Sequence, residues 1–293
     1  MKSRLFYLTT AVFICSMLYA HKEAPLSQDL KGPYFGQKPP GSQAELFAPR
    51  AITYEVHESP SISPDFTDMI IDSMEEGTKY YKMIDGVWTL QEEMPFDLPP
   101  GTSNGIFLSP SGQRIYFQMW KDNDENYYMS EKKNGKWTTP RILVEEVNSF
   151  KVHWQFSTAE NENLYFSSGG RILVSVFDGM QHGSPIPLKL ESGEDLRGVT
   201  PFIAPDESYL IMSGGFHKQD SDLYISYRLD SKKWTQPINL GSSINREGTL
   251  DLCPKISPDG KYLFFISQRP GPNFQIFWAD AGFINSLKPA KIR

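Results

Sequence analysis

The chain has 293 residues, 39% apolar and 13% aromatic, with 22 Gly and 22 Pro. The aromatic content excludes a disordered chain, and the Gly and Pro suit short strands joined by turns rather than a helical bundle. The net charge is −6 without any long run of Lys or Arg, so no nucleic-acid partner is expected.

Lys2 and Arg4 precede a mostly apolar run from Leu5 to Tyr19, which ends at Ala20. The run is too short for the roughly 20 residues that span a bilayer, so residues 1–20 read as a cleaved signal peptide. Ile14 ahead of Cys15 does not suit a lipobox, and no lipid anchor is expected. No later stretch reaches transmembrane length, so no stable span follows cleavage and the expected location is periplasmic or secreted. The mature chain then carries 27 basic and 35 acidic residues, a balance of −8. Cys253 becomes its sole cysteine, which permits no internal disulfide and reads as a small buried apolar residue. Residues 21–44 are polar and hold Gly32, Pro33, Gly36, Pro39, Pro40 and Gly41, and they read as an extended tether.

Five segments then share one pattern: SPSISPDFTDMIIDS (59–73), GIFLSPSGQRIYFQM (105–119), HWQFSTAENENLYFSS (153–168), TPFIAPDESYLIMSG (200–214) and CPKISPDGKYLFFIS (253–267). Each has an extended lead, a turn and an apolar run. The turn positions read as Pro64, Pro110, Thr158, Pro205 and Pro258. The apolar run starts five residues later at Met69, Ile115, Leu210 and Leu263, but six later at Leu164, so the third turn reads as one residue longer. Pro presets φ at the first central turn position, and Asp and Gly tolerate the others. A third apolar element follows in each copy, and a fourth carries Trp88, Trp137 and Trp234 in three of them. Four strands per period of about 47 residues indicate a propeller blade, with the Trp packed between blades.

These turns with their apolar runs resemble the PD40 repeat, the WD40-like repeat of TolB-type propellers; SPDGKYLFFIS (257–267) is the best copy and STAENENLYF (157–166) departs most. The resemblance covers residues 45–285 and implies an all-β propeller of four-stranded blades. The repeat count makes five blades, while TolB-type propellers usually have six, which leaves six as the alternative. The last copy lacks a fourth strand, and the segment from Glu45 to Thr53 is expected to supply it, closing the ring and removing open sheet edges. Residues 286–293 read as a solvated C-terminal tail. Only about 25 mature residues precede the repeats where TolB has an α/β domain, so TolB's partners are not implied. A monomer is expected.

The residues leading into the innermost strands should line one channel mouth. They supply the candidate binding set His57, Glu58, Asn104, His153, Trp154, Gln155, Arg197 and Asp251. His57 and His153 fall two positions apart in repeat register and sit in no metal-ligand spacing, so no metal or cofactor is expected. The acidic stretch 122–126 reads as a hairpin loop rather than a calcium loop, and no G-x-S-x-G elbow is present. No catalytic residue is assigned. The expected function is a non-enzymatic binding platform for a protein or an envelope polysaccharide. The alternative is a carbohydrate-active enzyme, a lyase or glycosidase, working at the channel mouth.

Overall fold

The computed structural model describes residues 30–73, 75–121, 124–150, 155–217, 220–230, 233–269 and 271–292. Within them the chain forms five antiparallel blades around a central channel. Blade 1 orders Ser61–Ile62, Asp68–Ser73, Gly77–Ile84 and Val87–Leu90 from the channel outward. Blade 2 orders Thr102–Leu108, Arg114–Lys121, Asp124–Lys133 and Arg141–Ile142. Blade 3 orders Phe156–Thr158, Leu164–Ser168, Arg171–Ser175 and Ile186–Pro187. Blade 4 orders Val199–Ile203, Tyr209–His217, Asp220–Tyr227 and Ile238–Asn239. Blade 5 orders Asp251–Ile256, Tyr262–Ser267 and Gln275–Asp280, and the N-terminal strand Glu45–Leu46 completes it, with Glu45 opposite Trp278. The six-bladed alternative is not what the described residues form, because the segment ahead of residue 45 builds no further sheet.

Each seam between neighbouring blades holds one apolar wedge. The wedge between blades 5 and 1 gathers Phe47, Met69, Trp88, Phe264 and Trp278. Trp234 is buried between blades 3 and 4, and Trp137 packs in the wedge between blades 1 and 2. The Trp segments of blades 2 and 4 are not the outermost strands, however. Lys136–Trp137 pairs with the third strand ahead of Arg141–Ile142, and Lys233–Trp234 stays bridged to Arg228 of its own blade while also pairing in parallel with Lys189–Leu190 of the neighbouring repeat.

All five repeat turns close in one way. Backbone bonds run from Phe66 to Ser63, Gly112 to Ser109, Glu162 to Ala159, Glu207 to Ala204 and Gly260 to Ser257. The closing residue is left-handed each time, with φ between 56° and 73° in Phe66 (φ 56), Gly112 (φ 66), Glu162 (φ 65), Glu207 (φ 59) and Gly260 (φ 73). This corrects the third copy. Its turn runs from Ala159 to Glu162, so Glu160 takes the proline position rather than Thr158, and the hairpin is one residue shorter rather than longer. Counting back from Ala159 also puts position 153 in register with His57, which removes the two-residue offset; His153 itself lies outside the described residues.

A left-handed non-glycine costs about 1 kcal/mol or more. In blades 3 and 4 the glutamate there is held by other bonds. Glu162 accepts hydrogen bonds from Ser111 (2.6 Å) and from Tyr116 (3.1 Å), both in blade 2, and its carboxylate faces Arg114 at 3.3 Å. Glu207 repeats this one seam on, accepting from Tyr165 (2.7 Å) and Asn163 (2.8 Å) of blade 3 and pairing with Arg228. These two carboxylates latch successive blades, whereas the other turns close on Gly112, Gly260 and the apolar Phe66.

Residues 30–44 pack against the ring where an extended tether was expected. Gly32 and Pro33 bond to Gly86 and Trp88 of blade 1, and the Tyr34 hydroxyl donates to Asp259 of blade 5 at 2.8 Å. Phe35 is 4% exposed and packs on Phe47, Tyr81 and Trp88. Aromatic side chains at 34 and 35 find an apolar seam there, which the Gly and Pro around them did not advertise. The C-terminal residues dock as well: Phe283, Ile284, Leu287 and Ile292 pack on the wedge between blades 4 and 5, and the Tyr227 hydroxyl donates to the Ile284 carbonyl.

Two measurements check this account. Phe35→Ala should lower the unfolding free energy by about 3–5 kcal/mol in urea, as for a buried aromatic; a loss under 1 kcal/mol would mean the segment is a tether after all. Glu162→Ala should cost roughly 2–3 kcal/mol, since it strands the buried Tyr116 hydroxyl, and a neutral result would remove the latch.

Candidate functional site

Three innermost strands bend at one repeat position. Gly105, Thr200 and Cys253 take positive φ there, and the strand register shifts at each. Such bulges turn backbone groups and side chains toward the channel. The result is a polar knot centred on residues 253–255 of blade 5. Ser59 donates to the Cys253 carbonyl at 2.5 Å, and the Cys253 N–H donates to Thr200 at 3.3 Å. Gln155 of blade 3 reaches across to the Pro254 carbonyl at 3.1 Å. Lys255 donates to Glu58 at 3.0 Å and to the Ser59 carbonyl at 2.9 Å, and its ammonium lies 5.9 Å from the Phe107 ring centre of blade 2. All five blades meet in this knot.

Lys255 and Glu58 are 4% and 3% exposed. Burial pushes the Glu58 carboxyl up to about 7; Lys255 opposes the shift and Asp72 adds to it. Burial likewise raises Asp72, against the pull of Thr78, His57 and Lys255, and it lowers His57. Burial lifts the Cys253 thiol well above its ordinary range, helped by Glu58, so the cysteine is an inert packing group as its sequence context implied. Among the described residues, Glu58 Oε1, Gln155 Oε1 and His57 Nδ1 are buried with no protein hydrogen-bond partner.

The expected mouth residues divide. Glu58 and Gln155 converge on the knot, with His57 beside them. Asp251 lies on the same strand as Lys255 but is committed elsewhere: Arg269 contacts both its oxygens at 2.8 Å and the Arg246 N–H donates at 2.9 Å. Arg197 is exposed beside Lys189, Glu194 and Asp195 in a shallow cleft away from the knot. Asn104 stands on the innermost strand of blade 2, and its side chain, like His153 and Trp154, lies outside the described residues.

A cavity opens at the other channel end, where the innermost strands finish. It is a funnel of about 290 Å³. Pro64, Pro110, Glu160, Pro205 and Pro258 ring it, one from each repeat turn. Phe107, Phe202, Tyr209 and Phe264 form walls, and Lys255 lies at the floor. Sequence reasoning placed the site at the opposite mouth. The signal for this one was present, because the prolines that mark the repeat must converge once the repeats form a ring. Lys255 also occupies a register position filled by Ser61, Phe107, Ser157 and Phe202 in the other copies, where it is the single charge.

No protein-family model matches the chain, and no curated protein matches it. Solved structures do. TolB from Acinetobacter baumannii is similar at 14% identity and a TM-score of 0.49, over 76% of this chain and 56% of that one. A putative TolB from Agrobacterium tumefaciens is similar at 17% and 0.46, over 72% and 69%. The PQQ-bound aldose sugar dehydrogenase of Streptomyces coelicolor is similar at 15% and 0.43, over 82% and 99%. The chain thus spans little more than half the length of the first of these. The five-bladed propeller rests on the sheet order described above.

The knot has a pH consequence. The ordinary Glu58 value is 4.5 and the folded one about 7, so the folded chain binds more protons between them. The stability this carboxyl contributes is full below about 4.5 and is lost as pH rises through 7. Glu58→Gln should therefore gain on the wild type by about 3 kcal/mol between pH 4.5 and 8, measured by urea unfolding. A constant difference across that range would show an unshifted carboxyl.

Proposed function

We propose that the protein is a secreted or periplasmic binding propeller, non-enzymatic and monomeric, that presents its funnel to a protein partner. The funnel carries this reading: a concave, mostly apolar cavity on a rigid ring, built from all five turns, with one buried charge at its floor. Residues 1–29 lie outside the described residues, so the signal peptide and the location belong to this proposal. Among the described residues no helix is long and apolar enough to cross a membrane, and no cluster of His, Cys, Asp and Glu could hold a metal ion. Neither a metal nor another cofactor is part of the reading, and nor is nucleic acid.

A photo-cross-linker placed at Glu160 on the funnel rim should capture one defined envelope protein in cells. The same group at Lys136, exposed on the edge of blade 2, should not. Equal labelling from both positions would remove the funnel as the binding face. One observation favours the carbohydrate-active alternative: Glu58, held near 7 beside His57 and Asp72, is a carboxyl poised for proton transfer near neutrality. Cleavage of an envelope polysaccharide by the wild type and not by Glu58→Gln would establish that reading instead.

A further inference from the structure

We infer that the funnel takes the C-terminal end of a polypeptide: the terminal carboxylate on Lys255, an apolar or aromatic last side chain against the walls, and basic residues just upstream at the rim. This rests on the protein-binding reading and names the part of the partner that enters.

The argument starts from the floor. An ammonium has three donors. Lys255 gives one to Glu58 and one to the Ser59 carbonyl, and among the described residues the third has no protein acceptor. Lys255 also lines the funnel, so an incoming acceptor can meet that donor. Behind it the inner strands are tied across the channel by Gln155, Ser59, Thr200 and Lys255, so a chain that reaches the floor enters tip first. Of the two ends of a polypeptide, only the C-terminus brings an anion to an ammonium.

The walls set the second requirement. A cavity of about 290 Å³ lies at the small end of ligand pockets, which suits one anchoring residue rather than a folded surface. Phe107, Phe202, Tyr209 and the prolines are apolar or aromatic faces that reward an apolar side chain. The rim sets the third. Glu160 is exposed on it, and exposed Asp65, Asp206 and Asp259 each follow a lining proline. A free small acid would meet only repulsion from these carboxylates, whereas a basic stretch of chain behind the carboxylate is attracted by them.

Charge balance at the floor is then met by Glu58. A second carboxylate beside the Lys255–Glu58 pair leaves one negative charge buried in excess, unless a proton is taken up. The groups facing Glu58 are Lys255 and Cys253 from blade 5 and Asp72 from the second strand of blade 1, with His57 next to it in the chain. Glu58 is the group whose carboxyl already sits near 7, so it is the one that accepts the proton. Binding therefore weakens about tenfold per pH unit above 7, in the limit of one proton taken up.

The test uses the mature protein and fluorescein-labelled Lys-Lys-Ser-Phe as the free acid and as the C-terminal amide, followed by anisotropy from pH 5.5 to 9. The free acid should bind at least tenfold more tightly than the amide at pH 6 and lose that advantage above pH 7. Glu58→Gln should bind the free acid with no such pH dependence. Lys255→Met should abolish the preference for the acid. Because that variant leaves Glu58 buried alone, Glu160→Lys serves beside it: it sits on the exposed rim and should weaken the basic peptide several-fold without touching the knot. Equal binding of acid and amide overturns the inference, as does an unchanged pH profile in Glu58→Gln. Hydrocinnamate displacing the peptide at equal concentration would assign the funnel to small free acids instead. If no peptide binds while the Glu160 cross-linker still captures a partner, this inference falls and the protein-binding reading stands; if both fail, both fall.

Discussion

The Lys255–Glu58 pair is the constraint around which the rest is arranged. Two charges removed from water cost several kcal/mol each unless they are well paired, and removing one partner alone is costlier than never having had either. The chain meets that demand with geometry. The left-handed Cys253 turns the blade 5 strand so that its next two residues point into the channel, where Gln155 holds the Pro254 carbonyl and Ser59 takes up Lys255 and Cys253 together. A ring of five sheets held only by apolar wedges tolerates sliding between blades. A ring whose inner strands converge on one ion pair, four through hydrogen bonds and blade 2 through the Phe107 ring, has a single register, because any slip strands a buried charge.

Much of the fold was legible because the repeat is written in turn chemistry. Pro64, Pro110, Pro205 and Pro258 preset one backbone angle, and the residue two places on must be left-handed to close the hairpin. Where Gly112 and Gly260 stand at that place, the reading is secure. Glu162 hid the third turn, because a left-handed glutamate looks like any surface residue until its carboxylate is found on Tyr116 and Ser111 of the preceding blade. A non-local bond decided a local conformation there, and local pattern cannot contain it. The same limit explains residues 30–44. Their Gly and Pro read as a flexible lead, while Tyr34 and Phe35 were two aromatics whose seam is built from segments more than 200 residues apart.

The candidate site shows the limit differently. Glu58 was found from repeat register and Gln155 from its place beside the third copy's mouth residues, since the leads into the inner strands of a ring must meet near its axis. Asp251 was found too, but whether a carboxylate faces a ligand or a neighbouring arginine depends on Arg269, which the repeat pattern does not place. Lys255 went unremarked because a lysine beside a turn is ordinarily solvated. Only closure of the ring buries it.

The two ends of the channel therefore have different chemistry from the same repeats. Toward the start of the inner strands, side chains vary between copies, and Glu58 Oε1, Gln155 Oε1 and His57 Nδ1 are left with no protein partner. Toward their finish, the turns set a ring of four prolines broken at Glu160, and below it Lys255 is the one charge at its register position. A symmetric apolar ring by itself recognises nothing beyond size. The two breaks supply direction, one acidic at the rim and one basic at the floor. Specificity in a repeat-built ring arises at the positions that depart from the repeat, and here the two charged departures, Glu160 among the prolines and Lys255 among Ser61, Phe107, Ser157 and Phe202, lie at opposite depths of one cavity.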